Sequence, residues 1–440
     1  MRKAYEEYKA TGIQWLPNIP KHWDLSFLFQ IASEKKVKKP KNAMFPVMSL
    51  SYGRIIKKKN INSGLVPNNY DNYQIISKGD IVLRFTDLQN DHTSLRTGLV
   101  TEKGIITSAY TNIKPRTNSV FLAYLLHTYD ELKIFYGLGG GVRQSIGFKD
   151  VRYLQLPVPP RDEQEQIVRF LDWKVSIINK LINILKEKKR LILELRQANI
   201  NYAMYPQKDW TLAPLKQYAL SNQAALSSTT PEETIIKYID INTVGNGYLK
   251  NKPEIYTFKD APLRARRIIH SGDTIVSTVR TYLRSVCFLN NYYEGCVAST
   301  GFSVLTPKIG VMPELLGFAL TSDYFISQVV KSSTGVSYPA ISDNKLMRLQ
   351  VAFPSELYKQ KLLVEKINKM NQKVLSLTNY ITQQITNLHD LKSRLIADVV
   401  TGQIDVRDVK IPNYEQDAEP SYEANANTTL QSEDEIPEEV

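Results

Sequence analysis

The residues of this chain best equipped for chemistry are arginines and lysines, and their surroundings favour binding over bond-making. Lys35, Lys36, Lys38 and Lys39 form one cluster, and Lys57 and Lys58 another. Ammonium groups set against phosphates displace condensed counterions, which gives affinity for a polyanion without reading its sequence. Arg84, Arg96 and the pair Arg143–Gln144 stand out in the first half. Arg264, Arg266, Arg267, Arg280, Arg284 and Tyr338 do so in the second. A planar guanidinium can bridge guanine O6 and N7, so these are the candidates for reading base edges. For any one of them the simpler reading is a solvated basic surface. Lys+Arg number 56 against 44 Asp+Glu, a net charge of +12. From Ile411 to Val440 there are nine acidic residues and no Lys or Arg, so the body is more basic than the total. Such a body points to a polyanionic partner, with nucleic acid the first candidate.

The parts of an active site do not assemble. No Gly-Lys dipeptide occurs, which removes a phosphate-cradling P-loop, and no His-Glu-x-x-His is present. The five histidines are scattered, and Cys287 and Cys296 have no zinc-knuckle spacing. Two cysteines make no disulfide framework, so structural or partly buried thiols are expected. Gly137-Leu138-Gly139-Gly140-Gly141 precedes no clear amphipathic helix and reads as a flexible turn. The sequence predicts no catalytic residue, no metal site and no bound cofactor. It shows no secretory opening and no apolar run near the roughly 18–20 residues of a membrane span, so a cytoplasmic chain is expected.

The elements that position these cations come twice. Ser77-Lys-Gly-Asp-Ile-Val82 matches His270-Ser-Gly-Asp-Thr-Ile-Val276, and Gly104-Ile-Ile-Thr-Ser108 matches Gly295-Cys-Val-Ala-Ser299. Gly141 to Pro159 tracks Gly335 to Pro354, and Trp210 stands where Trp23 stood. Short β-branched runs between turn signals predict strands, and helical spacing predicts helices over 121–136 and 315–330. Each mixed stretch ends at proline and runs into a long helical segment. Pro160, with Asp162 and Glu163 behind it, suits a helix start. Phe170, Ile177, Leu181, Ile184, Leu191, Leu195, Ala198 and Tyr202 form one seam on the first long helix, with a second stripe of Leu171, Ile178, Leu185 and Ile192. On the second, Leu363, Ile367, Met370, Val374, Leu377, Ile381 and Leu388 follow the alternating four-three spacing of a coiled coil. Two seams in one chain most simply pair with each other, and about 43 residues at 1.5 Å each give a rod of roughly 65 Å. The stripe at Leu171, Ile178, Leu185 and Ile192 is expected to face a partner.

The expected fold is therefore α+β, with two similar α/β domains separated by two long antiparallel helices in a pseudo-two-fold repeat. The expected segments are 1–158, a helix over 159–205, 206–353, a helix over 354–402, and an acidic, disordered tail over 403–440.

With repeat, helices and basic domains assembled, the chain resembles the specificity subunits of type I restriction–modification enzymes over almost its full length. Trp15-Leu-Pro-Asn-Ile-Pro-Lys-His-Trp23 is similar to that family's opening motif. Leu156-Pro-Val-Pro-Pro-Arg-Asp-Glu-Gln-Glu-Gln-Ile167 resembles its entry into the first conserved helix, and Gly140-Gly-Val-Arg-Gln-Ser-Ile146 the loop before it. The second half departs at Tyr358-Lys359-Gln360 and at Ser337-Tyr338-Pro339. The resemblance implies two target-recognition domains, each reading half of a split, asymmetric site on double-stranded DNA. It also implies helices that set the gap and dock two methyltransferase subunits, with endonuclease subunits joining that core. S-adenosylmethionine, ATP and magnesium would sit on those partners. The alternative is a coiled-coil scaffold whose basic domains bind protein or RNA.

Overall fold

In the computed structural model, residues 3–40, 43–58, 70–86, 95–137 and 146–414 are described. The chain divides into two compact units, residues 1–186 with 382–440, and residues 187–381. Each unit holds one mixed domain and a stretch of both long helices, Arg161–Ala203 and Leu357–Val400.

The first domain is built on a six-stranded sheet. Its order is Ala32–Glu34, Thr111–Pro115, Ile81–Leu83, Thr97–Leu99, Arg54–Lys57, Met48–Ser51. The pairing is antiparallel except where Arg54 faces Leu99. The second domain repeats the central order in a four-stranded sheet of Ala219–Ser221, Phe302–Pro307, Thr274–Ser277 and Val286–Phe288. A further four-stranded sheet there contains the parallel pair Ile235–Ile239 and Val297–Ser299.

The matching sequence blocks make matching local structure. Gly79 (φ 87°) and Gly272 (φ 93°) take the left-handed conformation that a Cβ disfavours. This turns the chain so that the next residue, an aspartate, folds back on the turn. Asp80 Oδ2 accepts from Ser77 N at 2.8 Å, and Asp273 Oδ2 accepts from His270 N at 2.8 Å. Both carboxylates are buried, so the repeated Gly-Asp is a structural fastener that starts the central strand.

Each domain is closed the same way. Asp24–Phe27, just after Trp23, pairs with Gln155–Val158, and Trp210–Pro214 pairs with Gln350–Pro354. In both cases the second strand feeds directly into a long helix. A buried glutamine in that helix's first turn locks the junction. Gln164 donates to Pro159 O and accepts from Thr117 Oγ1 and Asn118 N, just ahead of helix Ser119–Glu131. Gln360 donates to Pro354 O and Gly310 O and accepts from Met312 N, just ahead of helix Pro313–Thr321.

The helices pair antiparallel in each unit taken separately. In the first, Leu171 and Val175 share a core with Ile396, Val399 and Val400, and Lys392 Nζ donates to Asn179 Oδ1 at 3.3 Å. In the second, Ile200 and Met204 share a core with Val364 and Ile367, and Arg196 Nε donates to Asn371 Oδ1 at 2.8 Å. Both units thus pin the seam with a cation of one helix on an asparagine of the other. A lone polar pair inside an apolar seam fixes register, because any slip strands both groups. Burial pulls both Lys392 and Arg196 below their ordinary pKa values, Lys392 helped by the neighbouring Arg54.

Two expectations are corrected. The chain after the second helix is not loose from residue 403, because Ile404 and Val406 are buried in the first core and Asp405 N donates to Lys3 O. Residues 415–440 lie outside the described residues. The stripes of the first helix also exchange roles, apart from Phe170, which stays in the core. Leu171 (0 % exposed) and Ile178 (7 %) are core, while Ile177, Leu181, Ile184, Leu191 and Leu195 are exposed. Leu185 and Ile192 are half-buried. Two stripes one residue apart have the same periodicity, so only the packed domain decides which of them turns inward. On the second helix, Ile367 and Ile381 are buried, Leu363, Met370, Val374 and Leu388 are half-buried, and Leu377 is exposed.

Candidate nucleic-acid interface

The lysine clusters divide once their partners are known. Lys35 is a structural cation, its Nζ 2.5 Å from the buried Asp80 carboxylate and 3.1 Å from Ser77 Oγ. Lys39 is largely covered, with Nζ 3.9 Å from Asp71. Lys36, Lys38, Lys57 and Lys58 are exposed. Lys36 and Lys57 reach Glu34 and Glu102, but exposed pairs of this kind are weak and exchange readily for a phosphate.

Arg96 is a second correction. It is wholly buried, its N–H donating to Asp130 Oδ2 and its Nη1 to Thr86 O. No base edge can reach it, and its work is to hold the helix Ser119–Glu131 on the sheet. Burial pushes Asp130 up to about 6. Arg84 is half-buried and bonds Arg96 O through its backbone N–H. Arg143 and Gln144 lie outside the described residues.

In the second domain most candidate arginines are already engaged. Arg264 Nη2 lies 2.8 Å from Asp240 Oδ2 and its Nε donates to Tyr238. Arg284 Nη2 lies 2.5 Å from Asp323 Oδ1. Arg266 donates to Ala265 O and stacks on Phe258. Arg267 has a buried Nε with no acceptor among the described residues. Arg280 differs, because its guanidinium lies 4.6 Å from the ring centre of Tyr338, itself 64 % exposed.

Among the described residues no group of three or more His, Cys, Asp or Glu could hold a metal ion. Burial pushes the Cys287 thiol up to about 12 and raises Cys296 too, so neither is poised as a thiolate. No helix among the described residues is long and apolar enough to cross a membrane.

A type I restriction modification DNA specificity domain matches residues 20–194. The chain is similar to the specificity subunits of type I restriction–modification systems. It is 22% identical over 362 residues to the type I restriction enzyme MjaVIII specificity subunit of Methanocaldococcus jannaschii, covering 76% of this chain and 81% of that one. Its match to the HindI specificity subunit of Haemophilus influenzae is 29% identical over 140 residues, 31% of this chain and 30% of the other. A solved structure from work on complex assembly and conformational transition of the type I R-M system superposes with a TM-score of 0.61 at 17% identity, covering 87% of this chain and 98% of that one. That likeness shows the fold. Nothing in these comparisons favours a scaffold that binds protein or RNA.

Several residues that hold this chain together gave no functional signal in the sequence. Glu163 looked like a helix-dipole residue. It is buried, accepting from Tyr5 OH (2.5 Å) and Trp23 Nε1 (3.1 Å) and bonding His22 Nε2 (2.8 Å). Asn179, Lys392, Arg196 and Asn371 gave no signal individually. The near-constant offset between Gln164 and Gln360 was the usable clue.

Proposed function

We propose that the two recognition domains each read one half of a bipartite, asymmetric DNA site and that the long helices set the gap between the halves. What carries this reading is the repetition of one strand order in two domains whose arginines are arranged differently. A common frame with different tips suits two different half-sites. Lys36, Lys38, Lys57 and Lys58 would contact phosphates and position the first domain.

The exposed stripe of the first helix (Ile177, Leu181, Ile184, Leu191, Leu195) and Leu362, Leu375 and Leu377 of the second would dock two methyltransferase subunits. Endonuclease subunits would join that assembly. Specificity subunits are as a class non-catalytic, and S-adenosylmethionine, ATP and magnesium would be bound by the partners.

Selection of bound duplexes from a random pool, using the chain with its methyltransferase partner, tests the reading. Two short motifs at a fixed gap are expected, and one continuous motif overturns it. Inserting one helical turn in both long helices should change the gap while both half-site sequences persist.

A further inference from the structure

We propose that Arg280, held against the Tyr338 ring, reads a guanine in the half-site of the second domain. This rests on the DNA-reading role above and names one residue, one base and the device that aims it.

Arg280 sits at the tip of the hairpin joining Thr274–Ser277 to Val286–Phe288. The tip is a single 3-10 turn, Thr281–Leu283, with a left-handed residue on each side, Arg280 (φ 49°) and Arg284 (φ 54°). Residues with a Cβ avoid that region, so the surroundings must hold both in place. They do so from several directions. Arg284 is tied to Asp323, and Thr281 Oγ1 lies 2.8 Å from Ser333 Oγ. Thr278 N donates to Gly301 O, and Ile341 N donates to Thr278 O. The anchored turn pushes Tyr282 (53 % exposed) and Leu283 (48 %) outward beside Arg280.

The ring contact does the aiming. The half-buried Arg280 has its guanidinium carbon 4.6 Å from the Tyr338 ring centre, and that cation–π contact restrains its N–H donors. Among the described residues they meet no hydrogen-bond or ion-pair partner, unlike those of Arg264 and Arg284. A fork restrained by a ring contact has already lost part of the freedom that binding would remove. Guanine O6 and N7 accept such a fork in the major groove, and no other base edge presents two acceptors there. Tyr282 and Leu283 would flank the read base. Residues 87–94 of the first domain lie outside the described residues.

The experiment uses the full chain assembled with its methyltransferase partner. Binding is measured to the selected duplex and to duplexes changed at one position at a time. For wild type, replacing one particular guanine in one half-site should weaken binding about 10- to 100-fold. Arg280→Ala and Arg280→Lys should erase that preference, leaving the other half-site and the salt dependence unchanged. Tyr338→Leu should blunt it, and Tyr338→Phe, which keeps the ring, should preserve it. Tyr338 is exposed, so its variants stay informative if Arg280→Ala unfolds the tip. Uniform weakening over all sequences with a shallower salt slope would make Arg280 a phosphate contact and overturn the proposal. So would an unchanged guanine preference in Arg280→Ala while wild type selects its split site. A wild-type complex that selects no sequence would overturn the DNA-reading role itself.

Discussion

The two mixed domains share a frame and differ in what they hang on it. Both start their central strand with a Gly-Asp turn and close with a two-stranded clasp. Both lock the helix entry with a buried glutamine and cross-pin the helices with a cation on an asparagine. Beside that glutamine they part. In the first unit Glu163 gathers Tyr5, His22 and Trp23, and Arg407 lies 5.0 Å from the Tyr5 ring centre, binding both chain ends into one core. In the second unit Lys359 stands there, half-buried, and pairs with Glu356.

The space beside the cross-pin differs as well. Beside Lys392 the first unit has a cavity of about 780 Å³, lined by Gly53, Tyr124, His127, Ser393 and Ile396. Their counterparts beside Arg196, namely Gly247, Phe318, Thr321, Gln197 and Ile200, leave about 30 Å³. Gln197 fills the gap by bonding Asn246 and Thr321 O, and Gly317 lets Phe288 approach where a Cβ would lie 2.7 Å from its own. The arginines follow suit, with Arg96 swallowed in the first domain and Arg280 presented in the second. A repeated fold therefore fixes where strands and helices go and leaves the choice of exposed chemistry to single side chains.

Three measurements would break or sharpen that comparison. The largest effect is expected at the clasps. Trp23 is fully buried and hydrogen-bonded, so Trp23→Ala should cost about 3–5 kcal/mol in denaturant unfolding. Trp210 is only partly buried, and Trp210→Ala should cost about half as much. Equal losses would mean that the N-terminal arm adds nothing to the first unit.

Asp130 comes next. Its native carboxyl binds a proton more tightly than in the unfolded chain, so stability falls as pH rises from about 4 to about 6 and stays lower above that. The shift from 3.8 to about 6 corresponds to about 3 kcal/mol. Asp130→Asn should therefore stabilise the protein above pH 6 and have little effect below pH 4, read from urea midpoints across pH. The second domain breaks its helix at Ser322, which caps Asp323–Ser332, and should give no such pH signal.

The smallest effect should be the most symmetric. Gln164→Ala and Gln360→Ala each leave buried backbone groups unpaired and should cost about 1–3 kcal/mol apiece. A large inequality between them would show that the shared frame is not shared in energy.

Much of this architecture was legible before any coordinates. Spacing alone located the two long helices, because an apolar stripe at intervals of three and four fits nothing else. The proline-marked entries and the repeated Gly-Asp blocks located the domains, since φ restrictions act on the local chain. Lys35 and Arg96 were misread for a reason that local sequence cannot reveal. Lys35 pairs with Asp80, 45 residues away, the Arg96 backbone N–H bonds Asp130, 34 residues away, and a covered cation has the same letter as a free surface one.

By itself, then, the sequence determined the duplication, the element types, the basic character and the lack of active-site motifs, all carried by composition and short-range periodicity. Only the tertiary structure decided which helix stripe faces the core, which cations are spent on carboxylates, and which arginine is left against a ring with no carboxylate partner among the described residues. Those outcomes depend on contacts between residues far apart in the chain, where burial and pairing, not residue type, set what a side chain can do.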